Sequence, residues 1–195
     1  MKTTRLMIVA VGGQGNLLAA RVLGEAALMA GLPFRMSEIH GMAQRGGVVE
    51  SAIVFGEAAS SLIADGEADI LLGFEPLETL RALGKCHAAT AVVTNLAPLP
   101  PFAAAVGKVA YPDLVELKGL LRSRTGSLLA FDAAELARKA GNVLAVNMVM
   151  LGALAATCLL PMSDEHIRET IRSKTGGRFV ETNLKAFDLG FGQKS

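Results

Sequence analysis

Ser37-Glu38-Ile39-His40-Gly41-Met42-Ala43-Gln44-Arg45-Gly46-Gly47 gathers a carboxylate, an imidazole, a carboxamide and a guanidinium into one short stretch with glycines beside them. Ordinary connecting loops favour Ser, Asn, Asp and Pro, which suit turn geometry. This stretch instead holds long side chains able to grip a carboxylate or a phosphate, and glycines (Gly41, Gly46) that let backbone come close to a ligand. Arg45 can fork onto such an anion, or stiffen the loop by pairing with Glu38. Gln44 can donate to a substrate oxygen or satisfy a backbone carbonyl, and His40 can shuttle a proton near neutral pH or hold a structural hydrogen bond. Met42 can pad a pocket for an aryl group or fill core. Function concentrates on loops carried by rigid scaffolds, so His40, Gln44 and Arg45 are the catalytic candidates.

A second chemical signal lies upstream. Ala10-Val11-Gly12-Gly13-Gln14-Gly15 follows the pattern GxGxxG with Ala in the first position, at the turn from an apolar run into a helix. Glycine backbone and a helix N-terminus suit an anion, so Gly12, Gly13, Gln14 and Gly15 are candidate binding residues. A dinucleotide reading also finds its acid, because Glu38 lies about 20 residues further on. Against it stand Ala10, the position of Glu38 inside a polar loop, and the lack of sequence for a second, substrate-binding domain. A phosphate site, a subunit surface, or a glycine turn that only lets helix and strand pack remain open. Glu75 ends an apolar run on the edge where open α/β sheets bind ligands, with helix capping or an interface as the alternative. Asn147, inside an apolar helix, is expected to bond to a loop or another helix, and Asn183 to anchor a helix or loop.

Composition narrows the classes. A chain of 195 residues fills one α/β domain with little left over. Nineteen basic and 18 acidic residues give a net charge of +1, with one Tyr and no Trp, so nothing favours nucleic acid or an anionic membrane. Cys86 and Cys158 lack CxxC partners, which excludes an iron–sulfur cluster or Cys-type zinc site built by this chain alone and suits a reducing cytoplasm. Both read as small buried apolar residues. The apolar run Leu6 to Val11 stops at glycines, short of the ~7–15 residues of a signal-peptide core. Val143 to Leu160 approaches the ~17–25 residues of a membrane span but contains Asn147, Gly152 and Thr157, so a buried helix or subunit interface is expected.

The elements that must position these residues emerge from hydrophobic periodicity. Leu6–Val11, Pro33–Met36, Val48–Phe55, Ala68–Phe74, Ala88–Val93, Lys108–Tyr111 and Ser127–Phe131 read as strands, with Val48–Phe55 able to pair antiparallel with its predecessor. Asn16–Ala30 reads as a helix closed by Gly31, Pro76 opens a short one, and Leu114–Arg124 is another. Leu96–Pro101 is a loop. From Ala133 the chain turns helical, with Asn142 and Ser163 as caps and Gly152 as a close-packing position. The expected fold is a single three-layer α/β domain over residues 1–195, with a mostly parallel sheet, an antiparallel strand near 48–55 and a helical C-terminal third.

Ala10-Val-Gly-Gly-Gln-Gly15 and Glu38-Ile-His-Gly-Met-Ala-Gln-Arg-Gly-Gly47 together closely resemble the gamma-type domain of 2-oxoacid:ferredoxin oxidoreductases. The resemblance continues through Ala68-Asp-Ile-Leu-Leu-Gly-Phe-Glu-Pro-Leu-Glu-Thr-Leu-Arg81, Asn147-Met-Val-Met-Leu-Gly152 and Asn183-Leu-Lys-Ala-Phe-Asp-Leu-Gly190, so it spans nearly the whole chain. The Glu38–Gly47 string is the more specific part, and Ala10 departs from the family's usual Gly. A stand-alone chain of this length is most similar to the small beta subunit of the indolepyruvate branch.

The resemblance implies a cytoplasmic subunit rather than a complete enzyme. In such complexes a larger alpha subunit holds thiamine diphosphate, Mg and 4Fe-4S clusters, the 2-oxo acid is oxidatively decarboxylated, coenzyme A takes the acyl group, and ferredoxin takes the electrons. No cofactor is expected on this chain. Its glycine turn and polar loop would line the cleft where substrate or coenzyme A enters, and a homodimer is possible in isolation. The competing readings are a stand-alone Rossmann-like nucleotide-binding oxidoreductase using Ala10–Gly15, and a non-enzymatic module that binds an anion through Arg45.

Overall fold

The short apolar runs of the sequence come together as one sheet. The computed structural model describes residues 3–41, 47–99 and 111–193. Its strands are β1 (Thr4–Val11), β2 (Phe34–His40), β3 (Val48–Phe55), β4 (Ala68–Gly73), β5 (Cys86–Asn95) and β6 (Ser127–Phe131), in the order β2-β3-β1-β4-β5-β6. β1, β4, β5 and β6 run parallel, and β3 runs antiparallel to both of its neighbours, β1 and β2. The antiparallel element thus falls where the sequence puts it. β2 is longer than expected: Ser37 to His40 continue the strand, with His40 opposite Val49, rather than opening a loop. Met42, Gln44, Arg45 and Gly46 lie outside the described residues, as does the expected strand over Lys108–Tyr111 except for Tyr111.

Alternation along β1 assigns the two faces of the sheet. Leu6, Ile8 and Ala10 point to one side with Ile53, Phe55, Ile70 and Leu72, under α1 (Asn16–Met29) and the C-terminal helices. Met7 and Val9 point to the other with Ala52, Val54, Leu71 and Val92, facing α2 (Pro76–Arg81). α3 (Leu114–Arg124) covers β5 and β6. Both faces are therefore covered, which is why the strands read as continuous apolar runs.

The C-terminal third contains α4 (Ala133–Ala140), α5 (Val146–Ala156), α6 (Asp164–Lys174) and α7 (Val180–Phe191). The apolar run from Val143 is shorter as a helix than its hydropathy suggests. A 3-10 turn over Val143–Ala145 precedes α5, whose end is marked by the Thr157 hydroxyl donating to the Leu154 carbonyl at 2.7 Å. Cys158 follows at φ 57° and is exposed, while Cys86 is half-buried, so the expectation of two buried thiols is corrected. Among the described residues no helix is long and apolar enough to cross a membrane. Asn142 caps the 3-10 turn as expected, accepting from the Leu144 amide at 3.0 Å. Ser163 makes no such cap: its hydroxyl meets His166 Nδ1 at 2.7 Å.

α5 and α7 cross in direct backbone contact. A Cβ at Gly152 would collide with the Phe187 carbonyl, and one at Gly190 with the Val149 carbonyl. Arg168 of α6 pairs with Asp164 and Asp188 and stacks on the Phe187 ring, tying α6 to α7. Gly190→Ala is expected to lower stability by about 1–3 kcal/mol through overpacking, seen as a fall in Tm. Gly84→Ala, with nothing within 4 Å of the new methyl, serves as the control that leaves Tm unchanged.

Candidate functional site

The glycine turn opens at the carboxyl end of β1, where the sheet edge is held together by two side-chain amides. Gln14 Oε1 accepts from the Val11 amide at 2.8 Å, and Gln14 Nε2 donates to the Phe74 carbonyl at 3.0 Å. Asn95, at the end of β5, donates to the same carbonyl at 3.0 Å. Asn95 Oδ1 in turn accepts from the Ala97 amide at 3.0 Å and the Ala133 amide at 2.9 Å, fixing the start of α4. The ends of β1, β4 and β5 are thereby joined. Gln14, a candidate ligand-binding residue, spends its side chain on this framework. Sequence reasoning misses Asn95, whose only signal is a polar residue ending an apolar run.

The turn also touches the polar hairpin. The Gly12 amide donates to the Gly47 carbonyl at 2.8 Å, and the Gly41 amide donates to the Val48 carbonyl at 2.9 Å. Between turn and hairpin lies a cleft of about 530 Å³ bordered by Gly12, Gly13, Gly15, His40 and Gly41. Of the candidate residues the structure brings these five together. Gly13 and Gly15 have φ of 101° and 81°, a region that favours glycine. Ala10 needs no such freedom, because it sits inside β1 opposite Val49 and is fully buried. α1 begins at Asn16 with no side-chain cap and no acid in its first turn. Its first amides therefore face the cleft edge as open donors, which suits negative charge.

Glu38 and His40 point to the same face of β2, with Glu38 Oε2 at 3.9 Å from His40 Nε2. The dinucleotide layout is not reproduced. β3 lies between β1 and the strand bearing Glu38, which places that carboxylate two strand spacings, roughly 10 Å, from β1. A second cleft of about 530 Å³ opens on the other side of the turn, bordered by Gly13, Gln14, Asn95, Leu99, Leu144 and Asn147. Leu144 and Val143 are 76% and 57% exposed. Asn147 bonds to the glycine turn as its burial demands, donating to the Gly15 carbonyl at 3.4 Å.

Glu75 is fully buried and acts within the chain. Its Oε2 caps α2 by accepting from the Glu78 amide at 2.9 Å; its Oε1 accepts from the Tyr111 hydroxyl at 2.5 Å and the Leu99 amide at 3.3 Å. Burial, reinforced by that contact, raises the Tyr111 phenol above its ordinary range and keeps it a donor. Burial also raises the Glu78 carboxyl; Arg81, donating at 2.7 Å, opposes this, and the Glu75 and Glu50 carboxylates add to it. Glu78 Oε2 is buried with no hydrogen-bond partner among the described residues. Among those residues no group of three or more His, Cys, Asp or Glu is placed to hold a metal ion.

A glycine turn bonded to a polar hairpin at the carboxyl edge of a mixed sheet is thus the arrangement these residues build. The chain belongs to the pyruvate ferredoxin/flavodoxin oxidoreductase family, whose model matches residues 5–193. It is part of a multi-subunit oxidoreductase. The chain is 45% identical over 187 residues to the indolepyruvate oxidoreductase subunit IorB of Methanothermobacter thermautotrophicus, covering 96% of this chain and 95% of that one. Among solved structures, pyruvate oxidoreductase subunit PORC of Thermotoga maritima shares the fold with a TM-score of 0.73 at 20% identity, covering 99% of this chain and 97% of that one. The 2-oxoglutarate:ferredoxin oxidoreductase of Magnetococcus marinus contains the same fold with a TM-score of 0.70 at 20% identity, over 98% of this chain but 31% of that longer chain.

Two outcomes test the electrostatics and the framework. An acid whose folded pKa is raised contributes stability below its unfolded pKa, and that contribution is lost as pH rises through the folded value. Glu78→Gln is therefore expected to raise Tm relative to wild type at about pH 8 and to lose that advantage at about pH 4, as thermal melts across pH would show. Asn95→Ala leaves the Ala133 amide without its partner and removes one of two donors to Phe74. It should cost about 1–3 kcal/mol for each buried group left unsatisfied, measured by urea denaturation.

Proposed function

We propose that this chain is the subunit without thiamine diphosphate of a cytoplasmic 2-oxoacid:ferredoxin oxidoreductase acting on an arylpyruvate such as indolepyruvate. Its carboxyl edge closes over the catalytic cleft of a larger alpha subunit. That partner holds thiamine diphosphate, Mg and 4Fe-4S clusters, which together supply decarboxylation and electron transfer to ferredoxin, with coenzyme A as acyl acceptor. The described residues offer no ligand set for these groups, so no step is assigned to them on this chain.

The observation that carries this reading is the direct bond between Gly12 and Gly47, which sets the glycine turn beside the polar hairpin at one sheet edge. The edge offers open helix amides, an imidazole and apolar surface, which suit shaping a cleft better than running a reaction alone. The arylpyruvate assignment draws on the indolepyruvate relative, and the larger partner on the longer chain that contains this fold. His40 reaches the cleft as its proton carrier; Gln44 and Arg45 are assigned to it from sequence. With its partner absent, the exposed edge favours a homodimer.

The test is reconstitution with the larger subunit and an assay of indolepyruvate-dependent ferredoxin reduction. The isolated chain should show no turnover, the pair should be active, and Arg45→Ala should raise KM for the oxo acid or coenzyme A about tenfold, the effect of losing a charge-assisted hydrogen bond. Turnover by the isolated chain, or a redox cofactor bound to it, overturns the reading. Unchanged kcat and KM values in the variant remove the loop from the cleft.

A further inference from the structure

The sheet ends in two edge strands, β2 and β6, and the sequence treats them differently. An edge strand presents unpaired N–H and C=O groups that invite another strand, and chains blunt such edges with charge, proline or bulges. β2 is blunted in this way, by Arg35, Glu38 and His40. β6 reads Ser127-Leu-Leu-Ala-Phe131, with no charge, no proline and a regular register against β5. Among the described residues no strand lies beyond it. Such an edge favours being covered.

Backbone direction and charge indicate what covers it. The Phe131 carbonyl accepts from the Leu96 amide at 2.8 Å, so Phe131 bonds toward β5. Backbone groups alternate along a strand, which turns Ser127 and Leu129 the same way and leaves Leu128 and Ala130 pointing outward. Side chains alternate too: Leu129 and Phe131 face the side of the C-terminal helices, and Leu128 faces the other. A groove of about 520 Å³ opens beside Ser127 and Leu129 on the first of these sides, bounded by Ala156 and Leu159. The strand also lies between opposite charges. Arg122 and Arg124, in the last turn of α3, stand before it and Asp132 stands behind it, all three exposed. Asp132 uses Oδ1 to cap α4, accepting from the Glu135 amide at 2.8 Å, and keeps Oδ2. Basic at one end and acidic at the other, this edge is complementary to its own reverse.

We propose that β6 pairs antiparallel with β6 of a second copy of this chain, about a two-fold axis through Leu129, joining the two sheets into one. In that register Leu128 of each copy exchanges both backbone bonds with Ala130 of the other, which uses the outward groups of both strands. Asp132 of each copy comes opposite Gly126 of the other and beside its Arg124, so opposite charges meet at both ends. Phe131 comes opposite Ser127, a large side chain against a small one, at the mouth of the groove. Shifting the pairing toward Gly126 fails, because the Gly126 amide already donates to the Thr90 carbonyl at 2.9 Å. Shifting it the other way sets Asp132 against Leu128 and loses the charge contact. The β6 edge is separate from the carboxyl edge, so this pairing needs nothing from the reading above.

The experiment is cross-linking of the full chain at the two-fold axis. In a Cys158→Ser background, Leu129→Cys brings the new thiol opposite its copy in a non-hydrogen-bonded pair, with Cα atoms about 4.5 Å apart, and diamide gives a disulfide-linked dimer. Leu128→Cys lies diagonal to its copy, about 7–8 Å away, and gives at least tenfold less. Adding Ala130→Pro, which removes an outward donor and leaves the β5 ladder whole, lowers the Leu129→Cys cross-link about tenfold. With no cysteine introduced, sedimentation of the wild-type chain shows a reversible monomer–dimer equilibrium. Arg124→Glu, on an exposed side chain, and added salt each weaken it about tenfold.

A chain monomeric at every concentration, a dimer indifferent to Arg124→Glu, or equal cross-linking of Leu128→Cys and Leu129→Cys overturns the proposal. So does hydrogen exchange that protects the Leu128 and Ala130 amides only when the larger subunit is added, which would give this edge to that partner.

Discussion

A single carbonyl organises the edge of the sheet. The Phe74 oxygen accepts from Gln14 on one side and Asn95 on the other, at 3.0 Å each. Parallel strands in a twisted sheet diverge at their ends, and the chain beyond them runs on as loop. Here the first residues beyond β1, β4 and β5 cannot drift apart without unpairing buried groups, each at a cost of about 1–3 kcal/mol. The glycine turn consequently has a stiff back wall. The clefts on its two sides inherit that stiffness, and a surface that must meet another macromolecule in one register benefits from it.

The second constraint is the antiparallel strand. In an all-parallel dinucleotide fold the strand after α1 lies beside β1, and its terminal acid faces the glycine turn. Here β3 takes that place and pushes β2 to the sheet edge. The hairpin that joins them therefore arrives at the carboxyl edge beside Gly12, and the Gly12–Gly47 bond closes the gap. One change of strand direction turns a nucleotide-like motif into half of a cleft whose other half is a polar hairpin. The GxGxxG-like string is shared with nucleotide-binding folds, whereas its neighbour in space is not.

Much of this architecture is legible in the residues alone. Runs such as Leu6–Val11 and Ala68–Phe74, punctuated by glycine, identify the central strands because burial on both faces leaves an uninterrupted apolar signal. Pro76 marks a helix start for the same local reason in sequence and structure. Ser37–His40 mislead because β2 is an edge strand whose side chains are largely exposed, so polarity there reads as loop. The run after Asn142 misleads because hydropathy registers burial without showing where a 3-10 turn replaces α-helix. The pairing of Gln14 with Asn95 through Phe74 joins residues far apart in sequence, and no local pattern encodes it.

Several reactive groups among the described residues are committed or quenched. Glu75 caps a helix, Tyr111 is held as a donor to it, and burial pushes the Cys86 thiol up to about 11, far from a thiolate at neutral pH. The described groups still available at the carboxyl edge are of another kind: open helix amides, an imidazole, and the leucine and valine surface around Leu144. The amides and the apolar surface bind and orient, and the imidazole can in addition carry a proton. The described part of this edge therefore offers groups that bind and orient, which is the contribution the proposed place of the chain in a larger complex requires.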